Sequence, residues 1–149
     1  MIMAWDWAEV ALKLGVAVVL GAAIGLDREL RHKSAGTRTI GLVTLGAALA
    51  VMVVSGPNGD MAAASRVLQG TLAGSGFLGA GVIMHHCRSI EGLTTAASIW
   101  TAAVLGAACG LGAWQPVVVG SALVLLLLVV AGWIEKRVSR PVDEDSNVN

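Results

Sequence analysis

Charged side chains are concentrated in one short stretch of this sequence, residues 25–39, which reads GLDRELRHKSAGTRT. It contains four of the ten Lys and Arg residues and two of the ten Asp and Glu residues. Asp27 lies four residues before Arg31, and Glu29 lies four residues before Lys33. If the stretch begins as a helix, each acid faces the base of its pair. An acid placed four residues before a base is the favourable order for a helical ion pair. The chemistry open to this group is ion pairing, anion binding and the docking of a charged partner.

Other residues that could carry chemistry are few and poorly arranged. His85, His86 and Cys87 are adjacent, but a structural zinc site needs a second ligand pair, which the sequence lacks. The segment GSGFLGAG, residues 74–81, fits the dinucleotide pattern Gly-x-Gly-x-x-Gly, yet it lies inside an apolar stretch and has Thr at position 94, 20 residues after its first glycine, where an acid is expected. No Ser/His/Asp or Cys/His set has sequence support. We therefore predict no enzymatic activity, no metal site, no cofactor and no nucleic-acid binding.

The elements that must position the charged stretch are membrane helices. Hydrophobic residues make up 56% of the 149 residues and charged residues 13%, about half the charged share of a soluble domain. A spanning helix needs about 20 apolar residues, and unlike barrel strands these runs are continuously apolar. The sequence predicts an all-α fold, a polytopic bundle of five transmembrane helices. The five apolar spans are residues 10–26, 40–54, 67–84, 93–111 and 116–134.

Basic residues predict the orientation of these spans. With five spans, the first loop, the loop HHCRSIEG and the C-terminal tail lie on one side and carry eight of the ten Lys and Arg residues. Loops rich in Lys and Arg stay in the cytoplasm, so we expect the N-terminus outside and the C-terminus in the cytoplasm. Residues 1–137 then form the membrane domain, and residues 138–149 form a disordered acidic cytoplasmic tail. Lys13, inside the first span, is expected to pair with Glu9 and to reach the outer surface.

Small residues four apart recur in three of the spans as Gly-x-x-x-Gly pairs. Such a ridge lets two helix backbones approach closely. We expect the ridges to hold the bundle together, with a seam between copies of the chain as the alternative. We also expect a local break in the third helix around residues 74–81, because covered backbone need not be helical. The predicted packing positions are Gly21, Gly25, Gly70, Gly74, Gly79, Gly81, Gly106 and Gly110.

Two Gly-x-x-Thr turns are the next feature. The segment AGTRTIGLVTLGAAL aligns with the later segment EGLTTAASIWTAAVL, which matches Gly36 with Gly92. Each turn would begin a helix at the same membrane face, and helix N-termini accept anions. We expect Asp27 or Glu29 to dock at such an N-terminus. The spacing also predicts that the first helix ends at SAG, with Gly36 as its last residue.

The segment GAAIGLDRELRHKSAGTRTIGLVTLGAAL resembles the signature of the MgtC/SapB family of bacterial membrane proteins, and GFLGAGVI followed by GLTTAASIWTAAVLGAACGLG resembles its second block. Two departures are visible: Asp27 stands where many members have Glu, and we read this chain as a short form without the soluble C-terminal domain of the virulence-associated branch. The resemblance and the turns together predict a functional cytoplasmic surface, which we call the rim. The rim comprises Asp27, Arg28, Glu29, Lys33, Gly36, Arg38, Thr39, Gly92, Thr94 and Thr95.

The resemblance implies an inner-membrane protein linked to magnesium limitation, stress adaptation or virulence, which modulates other membrane machines such as the F-type ATP synthase. Some members are regarded as magnesium transporters, so an ion transporter or channel is the alternative. Magnesium prefers oxygen ligands that include carboxylates, and transporter ion sites lie near the bilayer midplane. Between Leu30 and Ile134 the acids are Asp60 and Glu91, both in predicted loops. We therefore favour a non-enzymatic modulator in the lipid bilayer, whose rim engages a partner membrane protein or a phosphate-bearing headgroup.

Overall fold

A computed structural model describes residues 6–56, 59–86 and 89–138, with the backbone alone for 84–86, 89 and 134–138. It contains five α-helices, which confirms the predicted all-α bundle. A two-stranded antiparallel hairpin, which the sequence did not predict, joins the third and fourth helices. The helices are α1 (Trp7–Leu30), α2 (Thr37–Ser55), α3 (Met61–Gly81), α4 (Leu93–Leu111) and α5 (Trp114–Val138), and the strands are β1 (Met84–His86) and β2 (Ser89–Glu91).

Four of these helices are long and apolar enough to cross a membrane: α1, α2, α4 and α5 as far as Trp133. α3 is long enough, at 21 residues, but Arg66, Gln69 and its many small residues dilute its apolar character. The chain is therefore a multi-pass membrane protein. Its orientation, with the N-terminus outside, stays a prediction from the charge distribution, and the predicted acidic tail lies outside the described residues apart from the helical Val138.

Aspartates begin two of the helices. The Asp6 carboxylate accepts a hydrogen bond from the Ala8 N–H (3.0 Å) at the start of α1, and the Asp60 carboxylate accepts one from the Ala62 N–H (2.8 Å) at the start of α3. Aspartate is a preferred N-cap because its oxygen satisfies an N–H that has no partner within the helix. Both caps lie at the end of the bundle opposite the rim.

α1 ends earlier than the sequence predicted. The His32 N–H donates to the Glu29 carbonyl (3.0 Å) and the Lys33 N–H donates to the Arg28 carbonyl (3.0 Å), which is the bonding pattern of a Schellman motif. His32 takes the left-handed conformation of that motif, with φ of 53°. The prediction that Gly36 ends α1 is therefore wrong. Because His32 turns the chain first, Gly36 becomes the N-cap of α2.

The core is built where α1, α2 and α4 approach one another. A Cβ added to Gly21 of α1 would lie 2.9 Å from the Gly41 Cα of α2 and would also overlap the Thr44 hydroxyl. A Cβ on Gly106 of α4 would lie 2.8 Å from the Thr44 Cα, and one on Gly110 would lie 3.0 Å from the Ala48 carbonyl carbon. Real Cβ atoms do not approach backbone so closely, so glycine permits both helix crossings.

α3 does not use its glycines in this way. A Cβ on Gly70, Gly74 or Gly81 would meet no described atom within 4 Å, so the packing predicted at these three positions is wrong within the described chain. The reason is that α3 turns a different face inward, on which Ser75 is buried and a Cβ on Gly79 would contact Ala96 at 3.4 Å.

The predicted break in α3 is also wrong, because the helix is continuous from Met61 to Gly81. Within lipid, an unbroken helix satisfies the backbone hydrogen bonds that a break would expose. Several glycines in one span therefore do not by themselves interrupt a membrane helix.

Candidate functional site

An ion pair at the end of α1 packs against α5. The Arg31 guanidinium donates from Nε to the Asp27 carboxylate at 3.0 and 3.1 Å, and its Nη2 lies 3.0 Å from Oδ1. This confirms the Asp27–Arg31 pair predicted from spacing. The same guanidinium lies against Gly132 of α5, where a Cβ would overlap it. Asp27 and Arg31 are both largely buried, so this pair belongs to the packing of the rim more than to its exposed surface.

Arg28 points the opposite way and joins α1 to the start of α4. Its side chain is 2% exposed, and its Nη2 donates a hydrogen bond to the Thr95 hydroxyl, which is also 2% exposed. α4 can begin here because Gly92, its N-cap, adopts φ of 89°, which side chains other than glycine tolerate poorly. Arg28 and Thr95 thus join α1 to α4, Gly92 allows α4 to begin beside them, and the Thr94 side chain is exposed.

Glu29 crosses to α2. Its Oε2 accepts a hydrogen bond from the Thr37 N–H at 3.1 Å, the first residue of α2. Gly36, the N-cap, has no side chain with which to cap the helix, so Glu29 supplies the missing acceptor from eight residues earlier. The docking of an acid at a helix N-terminus is confirmed, and Glu29 is the acid involved. The pairing of Glu29 with Lys33 predicted from spacing stays a prediction.

The electrostatics of Glu29 follow from this contact. Glu29 lies beyond the apolar part of α1, residues 10–26, and is exposed. Hydrogen bonds from the Thr37 hydroxyl and the Thr37 N–H, with the positive charge of Arg38 nearby, hold the pKa of the Glu29 carboxyl below its ordinary value. The carboxylate is therefore ionised at neutral pH and keeps its contact with α2.

A cleft of about 620 Å³ lies between the end of α1 and the start of α2. We call it the rim cleft. Five of the ten rim residues line it, so the structure brings half of the predicted set into one place. Its lining residues are Leu26, Glu29, Lys33, Gly36, Thr37, Arg38 and Thr39.

Three residues that shape this end of the molecule were not among the predicted site residues. Thr37 provides the N–H that binds Glu29, and the one available signal was that Gly36 cannot cap a helix with a side chain. His32 gives the turn that starts the cleft, but histidine does not mark a left-handed residue. Gly132 makes room for Arg31, and nothing in the sequence connects these two residues.

The opposite end contains a second ion pair. The Lys13 Nζ lies 2.6 Å from the Glu9 carboxylate, as predicted from their spacing. The Lys13 side chain also covers the end of α4, where a Cβ on Gly112 would lie 3.0 Å from Cε. A cation near a helix C-terminus is electrostatically favourable, so the lysine has a structural role at this position.

No metal centre is visible in the part of the chain that the structure describes. Among those residues, no three His, Cys, Asp or Glu side chains lie close enough together to hold an ion. The side chains of His85, His86 and Cys87 lie outside the described part, so their predicted lack of metal binding stays a prediction.

Comparison with known proteins gives consistent matches. The sequence model of the MgtC family matches residues 14–137. SrpB from Synechococcus elongatus is 44% identical over 83% of this chain and 75% of its own length. The uncharacterized protein slr0014 from Synechocystis is 41% identical over 81% of this chain and 51% of its own length. MgtC from Salmonella typhimurium strain LT2 is 36% identical over 87% of this chain and 55% of its own length. The chain thus spans about half the length of the last two, and no solved structure matches it.

Proposed function

Because the chain belongs to the MgtC family, we propose that it is a non-enzymatic modulator of another membrane protein. We place it in the bacterial inner membrane, where it acts during magnesium limitation or a related stress. Relatives that carry the name MgtC are 35–36% identical to this chain in Salmonella. Family membership supports the general type of protein, and the arrangement of charge supports the choice of modulator over ion carrier.

The proposal rests mainly on the positions of the Asp and Glu residues in the helices. Within the described helices, every Asp and Glu lies in a terminal turn, namely Glu9, Asp27, Glu29 and Glu135. A magnesium carrier needs oxygen ligands, normally including carboxylates, near the middle of the membrane. The described helices offer no carboxylate at that depth. Asp27 and Glu29 are also engaged, with Arg31 and Thr37 respectively.

The exposed part of the rim is the surface that supports partner binding. Arg28 and Thr95 are buried and hold α1 against α4, so they serve the fold. Arg38, Thr39 and Thr94 are exposed, and no hydrogen bond that we describe engages their side chains in the bundle. Exposed polar side chains that the fold does not use are available to a partner.

A photo-crosslinking experiment tests the modulator. A photoreactive residue is placed at Thr39, at Thr94 and, as control, at Met61, which is exposed at the other end of the bundle. We expect one membrane protein to be captured from both rim positions in native membranes of magnesium-limited cells. Arg38→Ala should abolish the capture, whereas Arg66→Ala, an exposed base on α3, should leave it intact. Equal capture from Met61, or no capture from the rim, contradicts the proposal.

A flux measurement tests the competing carrier. Purified protein in proteoliposomes should give no magnesium or proton flux above that of protein-free vesicles. Flux that disappears in Asp27→Asn or Glu29→Gln would replace the modulator with a carrier. If alanine at every exposed rim position leaves all phenotypes unchanged, the bundle is structural.

A further inference from the structure

We propose that a second copy of this chain docks on the outward face of α3, so that two α3 helices pack side by side. The contact is made by a row of six exposed residues, which we call the α3 seam. The seam comprises Ala62, Arg66, Gln69, Ala73, Gly76 and Ala80. It lies on a different helix from the rim, so the dimer goes beyond the modulator function proposed above and can fail or succeed independently of it.

The spacing of the seam is that of a helix–helix contact. Its members follow one another at intervals of four, three, four, three and four residues, and all of them are exposed. Alternating intervals of three and four place side chains along one edge of a helix, as in a coiled coil. Four of the six are Ala or Gly, which let helix backbones approach closely in a membrane. The buried residues of α3, Ala64, Ser75 and Gly79, lie on the opposite face, so the seam points away from the bundle.

α3 places this seam within the membrane. The helix begins at its Asp60 cap, at the end of the bundle opposite the rim. It ends beside the start of α4, where a Cβ on Gly92 would lie 2.9 Å from the Val82 carbonyl carbon. α3 therefore crosses the same thickness as α2 and α4, which are long and apolar enough to span a membrane. Its 21 residues extend over about 31 Å, the thickness of the hydrocarbon core.

Gln69 is the residue of the seam that most requires a cover. It lies about 12 Å along α3 from Met61, close to the middle of the span. Its side chain is exposed, and no residue in the described part of the chain forms a hydrogen bond with its amide. An amide that faces hydrocarbon without a hydrogen-bond partner is unfavourable. In membranes such side chains form hydrogen bonds across helix contacts, so Gln69 indicates that a protein surface covers the seam.

The chemistry of Gln69 favours a second copy as that surface. Two copies that insert in the same orientation, related by a two-fold axis along the membrane normal, place identical residues at the same depth. A Gln amide contains both a donor and an acceptor. Each Gln69 can therefore donate its N–H to the carbonyl oxygen of the other, and neither amide is left in hydrocarbon. The centre of the seam is thus complementary to itself.

Arg66 opposes this contact, which makes it informative. In the dimer it would lie near the same residue of the other copy, and like charges repel. Helical side chains lean toward the N-terminus, which for α3 is the nearer membrane surface, so the long arginine can extend its guanidinium into water. A polar residue at such a position fixes the register of a helix pair at a cost in stability. A second copy and an acidic partner therefore predict opposite effects of removing Arg66.

The test measures association of the full purified chain in phosphatidylcholine vesicles. Copies labelled at the C-terminus with a donor or an acceptor dye are mixed, and energy transfer is followed as the lipid-to-protein ratio is raised. We expect wild type to associate. Gln69→Leu, which has a similar volume but no amide, should weaken association about tenfold, and Gln69→Asn should retain most of it. Ala73→Ile should abolish association, because a branched side chain in the seam holds the helices apart.

Ala122→Ile is the matched control, since it places the same side chain at an exposed alanine of α5 and should leave association unchanged. Arg66→Ala should strengthen the dimer. Unfolding in mixed micelles with SDS identifies variants that have lost their fold, and Gln69→Asn provides a variant with little change in shape. Energy transfer in wild type no greater than random proximity gives, or equal losses in Ala73→Ile and Ala122→Ile, overturns the proposal. Weaker association in Arg66→Ala would overturn the choice of a second copy, because the seam would then suit an acidic partner.

Discussion

The glycine pairs of α1 and α4 have the same spacing as the pair in α3, but their surroundings are opposite. Gly21 and Gly106 lie against the backbone of α2, so closely that an added Cβ would overlap it. Gly70 and Gly74 of α3 have no described atom within 4 Å of the position that a Cβ would take. One sequence pattern therefore occurs both inside a tight three-helix unit and on an open helix face.

The difference lies in the facing helix. α2 presents Gly41, Thr44 and Ala48 to its neighbours, and these small residues let α1 and α4 come close. α3 packs through another face, and between α2 and α3 a groove of about 330 Å³ remains, lined in part by Gly46 and Gly74. A small-residue ridge thus marks where a close approach fits sterically. Whether it occurs depends on the neighbour.

The sharpest test of the comparison is Gly106→Ala. The new Cβ would overlap the backbone around Thr44, which cannot move aside as a flexible side chain would, so α4 must shift. We expect the free energy of unfolding to fall by about 3 kcal/mol. Unfolding in mixed micelles with increasing SDS measures it, with Gly70→Ala as control. Equal losses in both variants would show that the two ridges do not differ.

The next largest effect should come from Thr95→Val, which tests the bond between α1 and α4. The variant removes one hydrogen-bond acceptor of Arg28, whose side chain is almost fully buried. We expect a loss of about 2 kcal/mol in the free energy of unfolding. Thr71→Val is the control on α3, because the Thr71 hydroxyl bonds only to the Val67 carbonyl of its own helix among the contacts described, at 2.9 Å. A control variant as unstable as Thr95→Val would contradict this assignment.

His32→Gly should change stability in the opposite direction. Both His32, at the end of α1, and Gly112, at the end of α4, are left-handed, and glycine adopts that conformation without the Cβ penalty. We expect His32→Gly to raise the free energy of unfolding by about 1 kcal/mol, His32→Ala to give no gain, and Gly112→Ala to lower it. A gain in His32→Ala equal to that of His32→Gly would show that the backbone strain is not the cause.

The smallest effect is expected for Gly74→Ala. With open space around the position, the change in the free energy of unfolding should stay within about 0.5 kcal/mol, with a slight gain from the better helix propensity of alanine. The measurement is made in detergent and repeated in bilayers. A loss of 2 kcal/mol or more in bilayers alone would show that another helix covers this ridge in the membrane.

Much of the architecture could be predicted because it is encoded locally. Five continuous apolar runs predict five helices, and the four-residue spacings of Asp27–Arg31 and Glu9–Lys13 predict ion pairs that the structure contains. The family could be identified from two motif blocks, which the family match then confirmed.

The features that the sequence did not predict depend on contacts between distant parts of the chain. The sequence predicted that Asp27 or Glu29 docks at a helix N-terminus, but it could not choose between them, because the choice depends on where α2 begins. The end of α1 was assigned to Gly36 because glycine is the usual left-handed residue, whereas His32 adopts that conformation. The functional role of the rim stays a prediction.

Thr44 lies at the junction of three helices: Gly21 of α1 faces its hydroxyl, and Gly106 of α4 faces its backbone. The hydroxyl is satisfied within α2, by the carbonyls of Ile40 and Gly41, so the side chain holds one orientation. A larger side chain at position 44 would therefore meet α1 and α4 at once, so this one position sets how closely both helices can approach α2.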